Sequence, residues 1–100
     1  MIKHIVMWKV LDNFVGLEKT EITSKIKTDL MALVNIIPEI KFMEVGIDES
    51  KTDMSMDIVL TTEFLTKKDL AIYANHPKHL EAGKFIKAVA TMRKVIDYEV

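Results

Sequence analysis

Alternate positions at the start of the chain are mostly apolar. Between Ile2 and Val10 the even positions carry Ile2, His4, Val6, Trp8 and Val10, and the odd positions Lys3, Ile5, Met7 and Lys9. A period of two with β-branched residues predicts a strand. From about Leu17 to Asn35 the period lengthens. Ile22, Ile26, Leu30, Leu33, Val34 and Ile37 recur at steps of three and four, which is the pattern of one apolar helix face. Glu21 and Lys25 stand four apart on the polar side and are expected to pair weakly. Pro38 ends this helix, because proline disfavours helical backbone in the residue before it.

Ile40 to Ile47 predicts a second strand, and Asp48 to Ser55 a polar connection. In a third strand, Met56 to Phe64, the side chains of Met56, Ile58, Leu60, Thr62 and Phe64 share one face. Thr66-Lys67-Lys68-Asp69 fits a capping box, with Leu65 and Leu70 placed for a hydrophobic staple. The helix that begins there is expected to end near Asn75. His76 precedes proline and leaves the helical region, while Pro77 suits the first turn of a new helix reaching about Val89. The last strand covers roughly Arg93 to Val100.

The order is β-α-β-β-α-β, with the second helix broken at His76-Pro77. This predicts a single α+β domain over residues 1–100, of ferredoxin-like form: a four-stranded antiparallel sheet with helices on one face. The face carrying His4, Val6 and Trp8 packs under the helices. Ile5, Met7, Met43, Val45, Ile47 and Val59 are placed on the other face, which is then too apolar to stay bare. The simplest cover is a second copy of the sheet, giving a C2 homodimer. Apolar residues make up 49% of the 100 residues, at the high end for a small domain, so part of that surface fits an interface.

Charge and cysteine content narrow the function classes. The net charge is -1, Arg93 is the single arginine, and no basic tract occurs, which argues against nucleic-acid binding. There is no cysteine, hence no disulfide framework and no thiolate metal site. The N-terminus lacks the pattern of a signal peptide, and no apolar run approaches the roughly 20 residues that span a bilayer. A cytoplasmic protein without membrane association is expected. The seven methionines form no ligand spacing and read as adaptable packing.

Chemistry concentrates in Tyr73-Ala74-Asn75-His76-Pro77-Lys78-His79, which holds two of the three histidines and one of the two tyrosines. Tyr73, His76 and His79 are spaced three and three, and His79 shares a helical stripe with Ala82, Gly83 and Ile86. That stripe should face His4 and Trp8 on the first strand, with Gly83 leaving room. Three readings stay open. In the first, His79 is a general base and Tyr73 binds a developing oxyanion, with His4, Trp8, His76 and Gly83 lining a small cavity. In the second the cluster is structural: His76 caps the helix break, His4 and His79 are hydrogen-bonded core histidines, and Trp8 fills the core beneath the helices. Metal binding is the third and weakest, because no nearby carboxylate has a ligand spacing. No metal or cofactor is expected.

The residues together resemble the stress-responsive A/B barrel domain family, also called Dabb. The matching pieces are Ile2-Lys3-His4-Ile5-Val6, Asn35 to Lys41, Val45-Gly46, Asp57 to Leu60, Phe64, Tyr73 to His79, and Val95 to Tyr98. The resemblance implies a ferredoxin-like subunit whose sheet pairs with a partner's to form an α+β barrel dimer. Most members have no assigned reaction. One plant branch is a polyketide cyclase that catalyses a cofactor-independent aldol condensation, and its catalytic tyrosine and histidine match Tyr73 and His79. His4 and His76 match its other two histidines. Trp8 stands where that branch has a smaller aliphatic residue, and Ile26 and Leu30 replace pocket aromatics, so its substrate does not carry over. The leading expectation is a stress-response-type homodimer that binds a small apolar molecule in a cavity between sheet and helices. The alternatives are a cofactor-independent cyclase, lyase or monooxygenase-like enzyme, and a structural or interaction dimer.

Overall fold

The first strand is the spine of the sheet. In the computed structural model, which describes residues 1–100, β1 (Ile2–Val10) is bonded on both sides. A hairpin of β2 (Asn13–Phe14) and β3 (Leu17–Glu18) follows. Its two-residue turn, Val15-Gly16, has positive φ at both positions, 48° and 82°, as a type I′ turn requires. Next come α1 (Lys19–Met31), a 3₁₀ turn (Ala32–Asn35), β4 (Phe42–Ile47), β5 (Ile58–Phe64), α2 (Lys67–Asn75), α3 (Pro77–Val89) and β6 (Ala90–Glu99). The main sheet runs β4-β5-β1-β6 with antiparallel neighbours, the expected ferredoxin-like arrangement.

Local chemistry sets the helix ends. The Glu18 amide donates to the Glu21 carboxylate at 3.1 Å, closing the first turn of α1. Glu21 is therefore turned toward the helix start, and Lys25 pairs instead with Asp29 at 2.9 Å. α1 buries Ile22, Ile26 and Leu30. The tightening to 3₁₀ geometry then changes the face, so Leu33 is buried while Val34, expected on the apolar face, is 39% exposed.

Register decides what the helices cover. Cross-strand partners project to the same side of a sheet. Val6 faces Leu60, which faces Val45, and Thr62 links His4 to Met43. Met43 and Val45 therefore belong to the core under the helices, 9% and 5% exposed. Ile47, partnered with Ile58, shares that side. The expectation that these three lie on the outer face is corrected by this parity. Ile5, Met7 and Val59 do lie on the outer face, joined by Phe42, Ile96 and Tyr98. The outer face stays apolar with changed membership. β6 is a further difference: it starts at Ala90, and from Thr91 to Glu99 every residue is exposed in the single subunit. No helix is long and apolar enough to cross a membrane.

Candidate ligand cavity and acid–base site

The break between α2 and α3 builds the site. The Thr66 hydroxyl accepts from the Asp69 amide at 3.1 Å, one half of the predicted capping box, and starts α2. The helix stops at Asn75 because the residue before Pro77 is forced out of helical backbone; His76 has φ -66° and ψ 135°. The His76 ring then caps α3, its Nδ1 accepting from the Lys78 amide at 3.0 Å. In an unbroken helix that amide would donate to the Ala74 carbonyl, four residues back. With the amide taken by His76, the Ala74 carbonyl accepts instead from His79 Nδ1 at 3.1 Å. Nδ1 thus carries the proton of the neutral ring, and Nε2 keeps the basic lone pair.

Tyr73 sits on the last turn of α2 and is fully buried. Its ring centroid lies 5.1 Å from Phe64, 4.4 Å from His79 and 6.3 Å from His4. The hydroxyl makes no hydrogen bond to the protein. Burial pushes the phenol's pKa upward, so it stays protonated and is a donor. From β1, His4 reaches its cross-strand partner Asp97, with Nδ1 donating to Oδ1 at 2.5 Å. That bond takes up the Asp97 carboxylate, which shares the inner face of β6 with Arg93.

These groups converge on a cavity of about 290 Å³. Val6, Trp8, Leu30, Leu60 and Ile86 supply its apolar walls, and Tyr73, His79 and His4 its polar end. The volume sits at the small end of ligand sites, which run from about 300 to 1,000 Å³. Trp8 is 6% exposed and forms wall rather than plug. Leu30 lines the cavity, whereas Ile26 is buried and does not line it. Of the residues expected in one site, Tyr73, His79, His4, Trp8 and Gly83 are brought together. His76 is not: its ring is spent on the helix cap and does not line the cavity. Asp97 was missed as the support of His4, because it lies 93 residues away in sequence. A polar concavity of about 300 Å³ beside Lys19 and Asp57 is less suited to a ligand. Its central lysine is already held by Asp12 at 3.2 Å and Asp57 at 3.3 Å.

A Cβ built on Gly83 meets no atom within 4 Å. Glycine inside a helix costs about 0.5–1 kcal/mol relative to alanine. Gly83→Ala should therefore stabilise the protein by about that amount, read as a higher urea midpoint with an unchanged slope. A destabilised variant would mean that the backbone approaches another element here.

His79 makes stability depend on pH. Burial lowers its pKa, opposed by the Ala74 carbonyl and reinforced by the nearby His4, Arg93 and His76. Its folded pKa is thus below the unfolded value of about 6.5. Between the two values the unfolded chain binds more protons, so stability rises with pH in that window and is lost as pH falls below about 6.5. Urea midpoints measured from pH 5 to pH 8 should show this slope, and His79→Gln should flatten it. An equal slope in the variant would assign the effect elsewhere.

A family model for the "Stress responsive A/B Barrel Domain" matches residues 2–100. The structure is similar to a dimeric protein of unknown function with a ferredoxin-like fold from Bacteroides fragilis. That protein is 33% identical, with a TM-score of 0.88 and coverage of 99% of this chain and 95% of that one. A dimeric ferredoxin-like protein of unknown function from Thermobifida fusca is 21% identical, with a TM-score of 0.85 and coverage of 99% and 90%. A hydroxynitrile lyase from Passiflora edulis is 20% identical, with a TM-score of 0.83 and coverage of 99% and 92%. The last two likenesses concern the fold alone. A comparison with curated proteins gives no match.

Proposed function

The chain belongs to the stress-responsive A/B barrel domain family, and we propose that it acts as a homodimer whose subunits each bind a small, largely apolar molecule between sheet and helices. The Tyr73 hydroxyl carries this reading. It is buried, protonated and without a protein partner, on a side chain that lines the apolar-walled cavity. Leaving such a group unsatisfied costs about 1–3 kcal/mol. A ligand carbonyl or hydroxyl oxygen recovers that cost and fixes the ligand's orientation, while Trp8, Leu60 and Ile86 hold its body. The dimer reading is supported by the apolar outer face and by the dimeric state of the Bacteroides fragilis relative.

Trp8 is the only tryptophan, and it lines the cavity, so its fluorescence reports occupancy directly. Titration with small ketones and alcohols should change that signal. Gly83→Leu, which projects a side chain into the open space beside Gly83, should abolish the change while leaving the circular dichroism spectrum intact. A native protein unresponsive to every compound would overturn the binding reading.

A second reading, acid–base catalysis without a cofactor, is favoured by the fixed tautomer of His79. Nε2 takes a proton from carbon next to a carbonyl, and the Tyr73 O–H donates to the oxygen that becomes an enolate. Cyclase and cofactor-independent monooxygenase-like chemistries share this start, whereas a lyase reaction would begin with Nε2 taking the proton of a substrate hydroxyl. The step predicts exchange of α-protons of a bound ketone in D₂O, followed by NMR, which His79→Ala should stop. Binding without exchange would leave a binding protein.

A further inference from the structure

Two cations at the cavity have no carboxylate to answer them. Arg93, the single arginine, lies on the inner face of β6 opposite Trp8 and lines the cavity. Lys87 lines it from α3. Neither takes part in an ion pair. Asp97 stands four residues from Arg93 on the same face of β6, but its carboxylate is bonded to His4. No aspartate or glutamate lines the cavity. The enclosure is therefore apolar along its walls and positive at its exposed members, Lys87 and Arg93.

We propose that the cavity selects an anion: a small aliphatic or aromatic carboxylate, with Arg93 binding the carboxylate and Trp8, Leu60 and Ile86 covering the apolar body. This rests on the reading that the cavity binds a small apolar molecule, and it names the ligand class. The guanidinium suits a carboxylate because its planar fork donates two parallel hydrogen bonds. Lys87 adds an unneutralised charge to the same field, drawing anions toward the opening. Arg93 is near enough to His79 to disfavour its protonation, which places the arginine's charge within reach of the cavity's polar end. The apolar walls argue for a monoanion with a hydrocarbon body over inorganic phosphate, which would leave them unfilled.

Benzoate and its neutral counterpart benzamide separate the charge from the shape. Both are titrated by Trp8 fluorescence and by NMR of the Gly83 amide, against the native protein, Arg93→Met and Arg93→Lys. Arg93 is exposed and unpaired, so both variants should fold, checked by circular dichroism. Benzoate should bind the native protein about tenfold tighter than benzamide, falling to within about twofold in Arg93→Met, with benzamide affinity unchanged. Arg93→Lys should keep part of the preference, and added salt should erode it. Equal affinities in the native protein, or a preference that survives in Arg93→Met, would overturn the carboxylate assignment and leave the cavity reading standing. Binding of neither compound would remove both.

Discussion

Tyr73→Phe should melt higher than the native protein while losing affinity for any ligand held through an oxygen atom. The substitution keeps the ring against Phe64 and His79 and removes a hydroxyl that has no partner. Deleting an unsatisfied buried polar group should stabilise the fold by about 1 kcal/mol, equivalent to roughly 4–8 °C for a domain of this size. Affinity should fall about tenfold for a ketone or alcohol and be unchanged for a hydrocarbon of the same shape. Thermal denaturation and Trp8 fluorescence read the two effects separately. A variant that melts lower would mean the hydroxyl already has a partner in the folded protein. One that melts higher yet binds the ketone equally well would remove Tyr73 from ligand recognition.

Ile96→Glu should convert the homodimer to a folded monomer. Ile96 lies on the outer face opposite Ile5 and is 56% exposed in the single subunit. It takes no part in the core. In a C2 dimer one patch meets its own copy, so each substitution enters the interface twice. Two carboxylates against the face of Ile5, Met7, Phe42 and Tyr98 should raise the dissociation constant by about 100-fold or more. Light scattering reads the mass, and far-ultraviolet circular dichroism checks the subunit. A native protein that is monomeric at micromolar concentration would end the homodimer reading. So would a variant that stays dimeric.

The element order was legible because each segment's apolar period agrees with its final environment. Strand β1 sets its even positions against the helices and its odd positions on the outer face, and α1 lays one stripe on the sheet. The parity of β4 was not legible. Phe42 and Met43 are adjacent and both apolar, and only pairing with Thr62 and Glu63 tells which of them points inward. The β2–β3 hairpin was missed because Val15-Gly16 lacks the Asn-Gly or Asp-Gly signature of its turn type.

At the site, the three-residue spacing from Tyr73 to His79 and the first-strand position of His4 were enough to bring these groups together. What surrounds them depends on long-range or backbone geometry. The His4–Asp97 bond joins the two ends of the chain, and the Ala74 carbonyl gains its role only when a neighbouring amide is diverted. His76 shared the spacing of its neighbours but faces the wrong way for the cavity, since its ring folds back on its own helix start. In the sequence Arg93 stood out as the lone arginine. Its place beside the cavity follows from the antiparallel register of β6 with β1.

Pro77 does not line the cavity, yet it determines which tautomer His79 holds. By interrupting the backbone it frees one carbonyl, and that carbonyl fixes the proton on Nδ1. With the proton on the other nitrogen, the same imidazole would offer a donor where it now offers a lone pair. The general base proposed above would then be an acid, with every cavity side chain unchanged. The tautomer of His79 is thus written in main-chain punctuation outside the cavity.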